Sequence, residues 1–208
     1  MSFIITGTDT NVGKTVIASW LALQLGCEYW KPIQTGEESD SRFVERKAHA
    51  KTHAESYTFK APLAPWIAAR LEGRNIDLDT IQLPTKSPLI IEGAGGLFVP
   101  LSENQFMIDL FKKLGFPVIV VARTSLGTIN HTLLSLAALR AYGIPIQGVI
   151  MNGEKNSRNK EAIETCGKVP VIAEFPWLNE ISYEILQSIP IVNGEAISIN
   201  TPKKVIFP

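Results

Sequence analysis

Cysteine and histidine are scarce in this chain, and each scarcity excludes something. The two cysteines, Cys27 and Cys166, stand too far apart in sequence to frame a disulfide-stapled fold or a zinc cluster, and in their apolar and helical surroundings both read as ordinary buried thiols. Of the three histidines, His49 and His53 have i, i+4 spacing but lack a third ligand, and His131 has no neighbour at metal-binding spacing. Neither sign of charge is in excess: Lys+Arg and Asp+Glu each total 20, so no global field favours nucleic acid or an anionic membrane. There is no run of about 18 apolar residues, and Met1-Ser2-Phe3 enters a strand directly, without a charged and then apolar leader. A cytoplasmic protein with neither nucleic-acid nor membrane partners is expected. The 208 residues, 45% hydrophobic and 19% charged, suit one domain over 1–208 with a substantial core.

What the chain does have is a stretch that reads as a phosphate loop, the alternative being a Gly/Thr-rich βα turn that binds nothing. Gly7-Thr8-Asp9-Thr10-Asn11-Val12-Gly13-Lys14-Thr15 follows the apolar run Phe3-Ile4-Ile5 and leads into an apolar helical stretch that begins at Val16. Strand, loop and helix in this order place backbone N–H groups around an anion, aim a helix N-terminus at it and let Lys14 reach the outer phosphates. Thr15 would offer its hydroxyl to Mg²⁺. The general pattern wants glycine five positions before Gly13, where this chain has Thr8 with Gly7 one step earlier.

The remaining pattern alternates apolar strands with helices. A helix is predicted over 13–25, closed by Gly26, then a strand over 28–33 ending in Gln34-Thr35-Gly36. Lys31 in that strand is either a solvated edge position or, at the C-terminal end of a parallel strand, a ligand-facing group. Ser39 or Asp40 reads as a helix cap, and Asp40 equally as a metal ligand. Helices are predicted over 66–72 and 76–83, with Trp66 as core or pocket wall. The run 88–91 suits a strand buried on both faces, which tolerates Glu92 only where it emerges beside the phosphate loop. Further strands are predicted over 117–122, 146–151 and 169–174, with a long helix ending near Tyr142. Asn130 and His131 read as a helix cap and a polar contact. Asn152 reads as a turn former or as the reader of an adenine edge. The guanine-reading tetrad Asn-Lys-x-Asp is absent, since Asn152-Gly153-Glu154-Lys155 stands there. The fold class expected is α/β: a doubly wound, mainly parallel sheet flanked by helices, like that of P-loop NTPases.

Five segments together resemble the dethiobiotin synthetase family: the phosphate loop; Lys31-Pro32-Ile33-Gln34-Thr35-Gly36 with Ser39-Asp40; Glu92-Gly93-Ala94-Gly95-Gly96 and the residues to Leu101; Leu126-Gly127-Thr128-Ile129-Asn130-His131; and Phe175-Pro176-Trp177-Leu178. The resemblance implies a ligase of biotin biosynthesis that joins 7,8-diaminononanoate and CO₂ at the expense of ATP. It implies Lys14 and Lys31 as catalytic groups. Asp9, Thr10, Asn11, Val12, Gly13, Lys14, Thr15 and Val16 would bind ATP, with Asn152, Pro176, Trp177 and Leu178 around the adenine. Thr10, Lys14, Lys31 and Thr35, with Gly127, Thr128, Ile129 and Asn130 from a neighbouring subunit, would hold the diamine acid. Thr15, Asp40 and Glu92 would hold Mg²⁺. A homodimer with the substrate site at the subunit interface follows from the same resemblance.

Partitioning and membrane-targeting ATPases share this architecture but carry an extra lysine where this chain has Asp9, and no basic amphipathic C-terminal helix is evident. An amidotransferase of the cobyrinate type would want a much longer chain. A catalytically dead nucleotide-binding module is disfavoured because Lys14, Thr15, Asp40 and Glu92 are all present.

Overall fold

Strands that are mostly rich in Ile and Val, connected for the most part through helices, build a parallel sheet of seven strands. The structure is a computed structural model and describes residues 1–191; residues 192–208, part of a tail in which no motif was assigned, lie outside the described residues. In chain order the elements are β1 (Phe3–Gly7), α1 (Lys14–Leu25), β2 (Glu28–Trp30), β3 (Ile33–Thr35), α2 (Asp40–Ala48), β4 (Thr52–His53), β5 (Tyr57–Phe59) and α3 (Pro65–Leu71). They continue with β6 (Leu89–Glu92), α4 (Met107–Leu114), β7 (Val118–Arg123), α5 (Thr128–Ala141), β8 (Ile146–Asn152), α6 (Ser157–Gly167), β9 (Val171–Phe175) and α7 (Tyr183–Ser188).

The main sheet runs β4-β2-β6-β1-β7-β8-β9, with every pairing parallel. Alternate residues of each strand face opposite layers. Ile4, Ile91, Val118 and Val120 pack with α4, α5 and α6, while Phe3, Ile5, Ile90, Val121 and Ile150 pack with α1, α2 and α7. The sheet is therefore doubly wound, and β1 lies where the order of travel reverses between β6 and β7. In such sheets the ligand crevice opens at the C-terminal ends of the strands beside the reversal.

Several sequence expectations need correction. The strand predicted over 28–33, with Gln34-Thr35-Gly36 at its end, is two strands in two sheets: β2 joins the main sheet and β3 pairs with β5 in a separate two-stranded one. The break falls at Lys31-Pro32, where proline has no N–H to donate and its carbonyl instead accepts from Ser56 and Tyr57. The helix predicted over 76–83 reduces to a 3-10 turn, Leu78–Thr80, because Asp77 caps it by accepting from the Asp79 N–H and the chain is extended again at Ile81. Of the two places expected for Trp66, core or pocket wall, the core is excluded: the ring is half-buried beneath the Arg70 guanidinium. Cys27 is buried, but Cys166, on the outer side of α6, is exposed. Helices α4, α6 and α7 and the short strands β4 and β5 had no sequence assignment.

Candidate active site

The phosphate loop folds tightly because its glycines are placed for close approach. A Cβ on Gly7 would lie 2.6 Å from Val12 Cγ2 and 3.1 Å from Lys14 Nζ. The departure from the general motif thus has a local reason: the residue that must be small here is at position 7, and Thr8 is free to differ. Asn11 adopts a left-handed backbone (φ 58°), which asparagine tolerates. Gly13 (φ 92°) caps α1, and its carbonyl accepts the first helical bond from Ile17. Lys14 Nζ donates to the Asp9 carbonyl at 3.0 Å, drawing the loop around its own lysine. Asp9 is held in turn by Arg123 at 3.3 Å from the end of β7.

Beside the loop lies a charged cluster whose lysines and glutamate are buried and whose Asp40 sits at its partly exposed edge. Thr15 Oγ1 donates to Glu92 Oε1 at 2.9 Å, and Tyr29 OH donates to Glu92 Oε2 at 2.9 Å. Lys31 pairs with Asp40 Oδ2 and lies 3.6 Å from Glu92 Oε1. Lys14, Lys31 and Glu92 retain only 7%, 6% and 1% of their exposure, so their charges interact through a medium far less screening than water. Burial lowers the Lys14 pKa; the Glu92 carboxylate opposes this and the Lys31 ammonium adds to it. Burial would lower Lys31 too, but Glu92 and Asp40 outweigh it and raise its pKa, keeping it an ammonium. Burial raises Glu92 against the pull of Lys31. Burial, reinforced by the Glu92 charge, raises Tyr29 well above an ordinary phenol, so Tyr29 is a donor.

Asp40 reaches this cluster because Ser39, not Asp40, caps α2: the Ser39 hydroxyl accepts from the Arg42 N–H. That leaves the Asp40 carboxylate free for Lys31. The buried side chain of Gln34 sets the approach, donating to the carbonyls of Thr35 and Glu38 and accepting from the Asp40 N–H.

A second concavity of about 540 Å³ opens along the same strand ends, lined among others by Arg123, Asn152, Lys155 and Trp177. Asn152 is tied to the phosphate loop, since Nδ2 donates to the Val12 carbonyl at 2.9 Å. Trp177 lines it and is exposed, as is the preceding Pro176, whereas Leu178 packs against the α1 side of the core.

The structure therefore brings together Lys14, Thr15, Lys31, Asp40 and Glu92, and separately Asn152 and Trp177. Thr10 is exposed on the loop, its N–H bonded to the Asp9 carboxylate, and Thr35 ends β3 half-buried. Gly127, Thr128, Ile129 and Asn130 form the start of α5, where the Thr128 hydroxyl donates to the Arg123 carbonyl. Among the described residues no hydrogen bond or ion pair joins them to the lysine and carboxylate cluster. Three contributors escaped the sequence reading: Tyr29, Gln34 and Arg123. Tyr29 had a usable signal, because it precedes Lys31 by two residues and strand alternation puts both on one face.

This fold and site define a P-loop nucleotide-binding protein, and residues 1–184 match a family model described as an AAA domain. The chain is 47% identical over 193 residues to the ATP-dependent dethiobiotin synthetase of Lawsonia intracellularis, spanning 92% of this chain and 95% of that one. It belongs to the ATP-dependent dethiobiotin synthetase family. The corresponding enzyme of Paramagnetospirillum magneticum is 47% identical over 190 residues, covering 89% of this chain and 93% of that one. A biotin biosynthesis bifunctional protein of Bordetella avium is 50% identical over 184 residues, which are 85% of this chain but 40% of that one. Two solved structures share the fold alone. A ParA family ATPase from Chlorobium tepidum has a TM-score of 0.50 at 14% identity, covering 94% of this chain and 91% of that one. A plasmid partition protein from Borrelia burgdorferi bound to AMPPNP has a TM-score of 0.52 at 12% identity, covering 89% and 94%.

Proposed function

We propose that this member of the family closes the cyclic urea of dethiobiotin from 7,8-diaminononanoate, CO₂ and ATP, using the cluster of Lys14, Thr15, Lys31, Asp40 and Glu92. The observation that carries the reading is Lys31: a buried ammonium at the end of β2, shared between two carboxylates and set beside the phosphate loop. One amine of the substrate adds to CO₂ and loses a proton, giving a carbamate. A carbamate oxygen attacks the γ-phosphorus of ATP and ADP leaves. The second amine then attacks the carbonyl carbon of the mixed carbamic-phosphoric anhydride, and phosphate departs as the ring closes. The substrate supplies its own nucleophiles, so the protein's task is placement and neutralisation of charge.

Lys14 and the loop N–H groups would hold the β- and γ-phosphates, and Lys31 would meet the carbamate and the transferred phosphoryl from the other side. Asp9, Thr10, Asn11, Val12, Gly13 and Val16 shape the loop around the nucleotide, and Asn152, Pro176, Trp177 and Leu178 are assigned to the adenine. Thr10 and Thr35 are assigned to the diamine acid. The N–H groups at Gly127, Thr128, Ile129 and Asn130 would receive its carboxylate across a homodimer interface, since a helix N-terminus favours an anion.

Thr15, Asp40 and Glu92 offer a hydroxyl and two carboxylates, the hard oxygen donors that Mg²⁺ prefers. Their surroundings already accommodate a positive charge, because the Lys31 ammonium lies against both carboxylates. Mg²⁺ held there would supply charge neutralisation on the ATP phosphates. A cytoplasmic location is proposed with this biosynthetic role; among the described residues no helix is long and apolar enough to cross a membrane. One continuous seven-stranded sheet built from both ends of the described chain supports reading 1–208 as one P-loop domain.

The test is phosphate release from Mg·ATP with bicarbonate, with and without 7,8-diaminononanoate, following the organic product by mass. Release that requires the diamine, with one CO₂-derived carbon gained and water lost, is expected. Hydrolysis that ignores the diamine would overturn the reading in favour of a nucleotide switch.

A further inference from the structure

Glu92 has two carboxylate oxygens, and the phosphate loop accounts for one. Oε1 accepts from Thr15 and lies toward Lys31, whereas Oε2 accepts only the phenol of Tyr29, at 2.9 Å, among the described hydrogen bonds. Tyr29 is fully buried in β2, where it is in register with Ile90 of the neighbouring β6, two residues before Glu92. The parallel pairing thus brings a long, rigid side chain from one strand to the carboxylate at the end of the next.

We infer that Tyr29 is a positioning residue for the Glu92 carboxylate, holding Oε2 so that Oε1 stays turned toward Thr15 and a bound divalent cation. This rests on reading Glu92 as part of the metal site. The physical reason is torsional. The last torsion of a glutamate is broad and roughly two-fold, so an unanchored carboxylate samples many orientations. A buried hydrogen bond to one oxygen selects one of them, and fixes which oxygen faces the metal. Partners of this kind, one step removed from the ion, typically change metal affinity by about 10–100-fold when removed. Tyr29 would not need to touch nucleotide or substrate to act.

Tyr29→Phe removes only the hydroxyl and leaves the buried ring in place. The experiment measures Mn²⁺ binding by electron paramagnetic resonance on the full-length protein with AMPPNP present. ADP affinity in EDTA and thermal melting are measured alongside. Mn²⁺ affinity is expected to fall about 10–100-fold, while metal-free ADP affinity changes less than about twofold. A lower melting temperature with Mn²⁺ affinity unchanged would mean the phenol merely satisfies the core, and would overturn the inference. Glu92→Gln separates the two layers of the argument. If it leaves Mn²⁺ affinity unaltered, the metal-site reading fails; if it weakens Mn²⁺ binding and Tyr29→Phe does not, only the role of Tyr29 fails. A measurement on the unmodified protein guards against a poorly folded variant: adding Mn²⁺ to the nucleotide complex should perturb the near-ultraviolet tyrosine absorbance, and no change would count against the inference.

Discussion

Gly13 is the position where the phosphate loop and the end of β8 meet, and replacing it with alanine tests that junction. Its backbone is left-handed (φ 92°), and a Cβ there would fall 2.1 Å from Asn152 Nδ2. The left-handed conformation costs an alanine about 1–2 kcal/mol. Asn152 would also be pushed from its bond to the Val12 carbonyl, and that bond is worth about 1 kcal/mol. Gly13→Ala should therefore destabilise the nucleotide-free protein by about 2–3 kcal/mol, lowering Tm by about 4–12 °C for a chain of this size. Asn152→Ala alone should remove only the hydrogen bond, about 1 kcal/mol. The clash and the broken bond in Gly13→Ala are one event, so the double variant should fall short of the sum of the singles by about 1 kcal/mol or more. Thermal and denaturant unfolding of the four proteins at one pH would measure this. Additivity within about 0.3 kcal/mol would refute the reasoning, because it would mean that Asn152 does not occupy the space beside Gly13. ATP affinity should drop for Gly13→Ala, and restoring room with Asn152→Ala should not recover it fully, because the strained backbone persists.

Three other perturbations have defined outcomes. Lys31→Met removes the ammonium shared by Asp40 and Glu92; synthesis of dethiobiotin should be abolished while nucleotide-free Mn²⁺ binding tightens by roughly tenfold or more, since an opposing buried charge at this range is worth a few kcal/mol. Lys14 has its pKa lowered on folding, chiefly by burial, so the unfolded chain binds the extra proton between the folded value and the ordinary lysine value of 10.5. Wild-type stability must therefore rise with pH through that window relative to Lys14→Met, and a stability difference constant from neutral pH to about pH 10.5 would contradict the shift. Trp20 is 1% exposed, stands 5.2 Å from the Phe175 ring centroid and donates to the Ile189 carbonyl. Trp20→Ala should cost about 3–5 kcal/mol by chemical denaturation, loosening α7 as well as α1, and hydrogen exchange at residues 183–188 should report it.

What could be read from sequence is what the chain encodes locally. The phosphate loop announced itself because its strand, glycines, lysine and helix are contiguous, and α1 starts and stops at Gly13 and Gly26 as its local signals require. Glu92 was placed at the end of a buried strand because an apolar run tolerates a carboxylate only where it emerges. The doubly wound sheet followed from the alternation of strand and helix patterns. Where tertiary contacts decide, local pattern failed: β3 leaves the main sheet at Pro32 to pair with β5, and the 3-10 turn at Leu78 stands where a helix was expected.

The site itself is a product of strand order. Thr15 meets Glu92 across 77 residues, Tyr29 meets Glu92 across 63, and Asn152 meets the Val12 carbonyl across 140. No periodicity carries information over such separations. The residue types alone determined that a lysine in the phosphate loop, a second lysine and two carboxylates were available. Only the parallel insertion of β6 between β2 and β1 decided that they meet in one cluster, because register between distant strands is fixed by packing the whole sheet against its two helical layers.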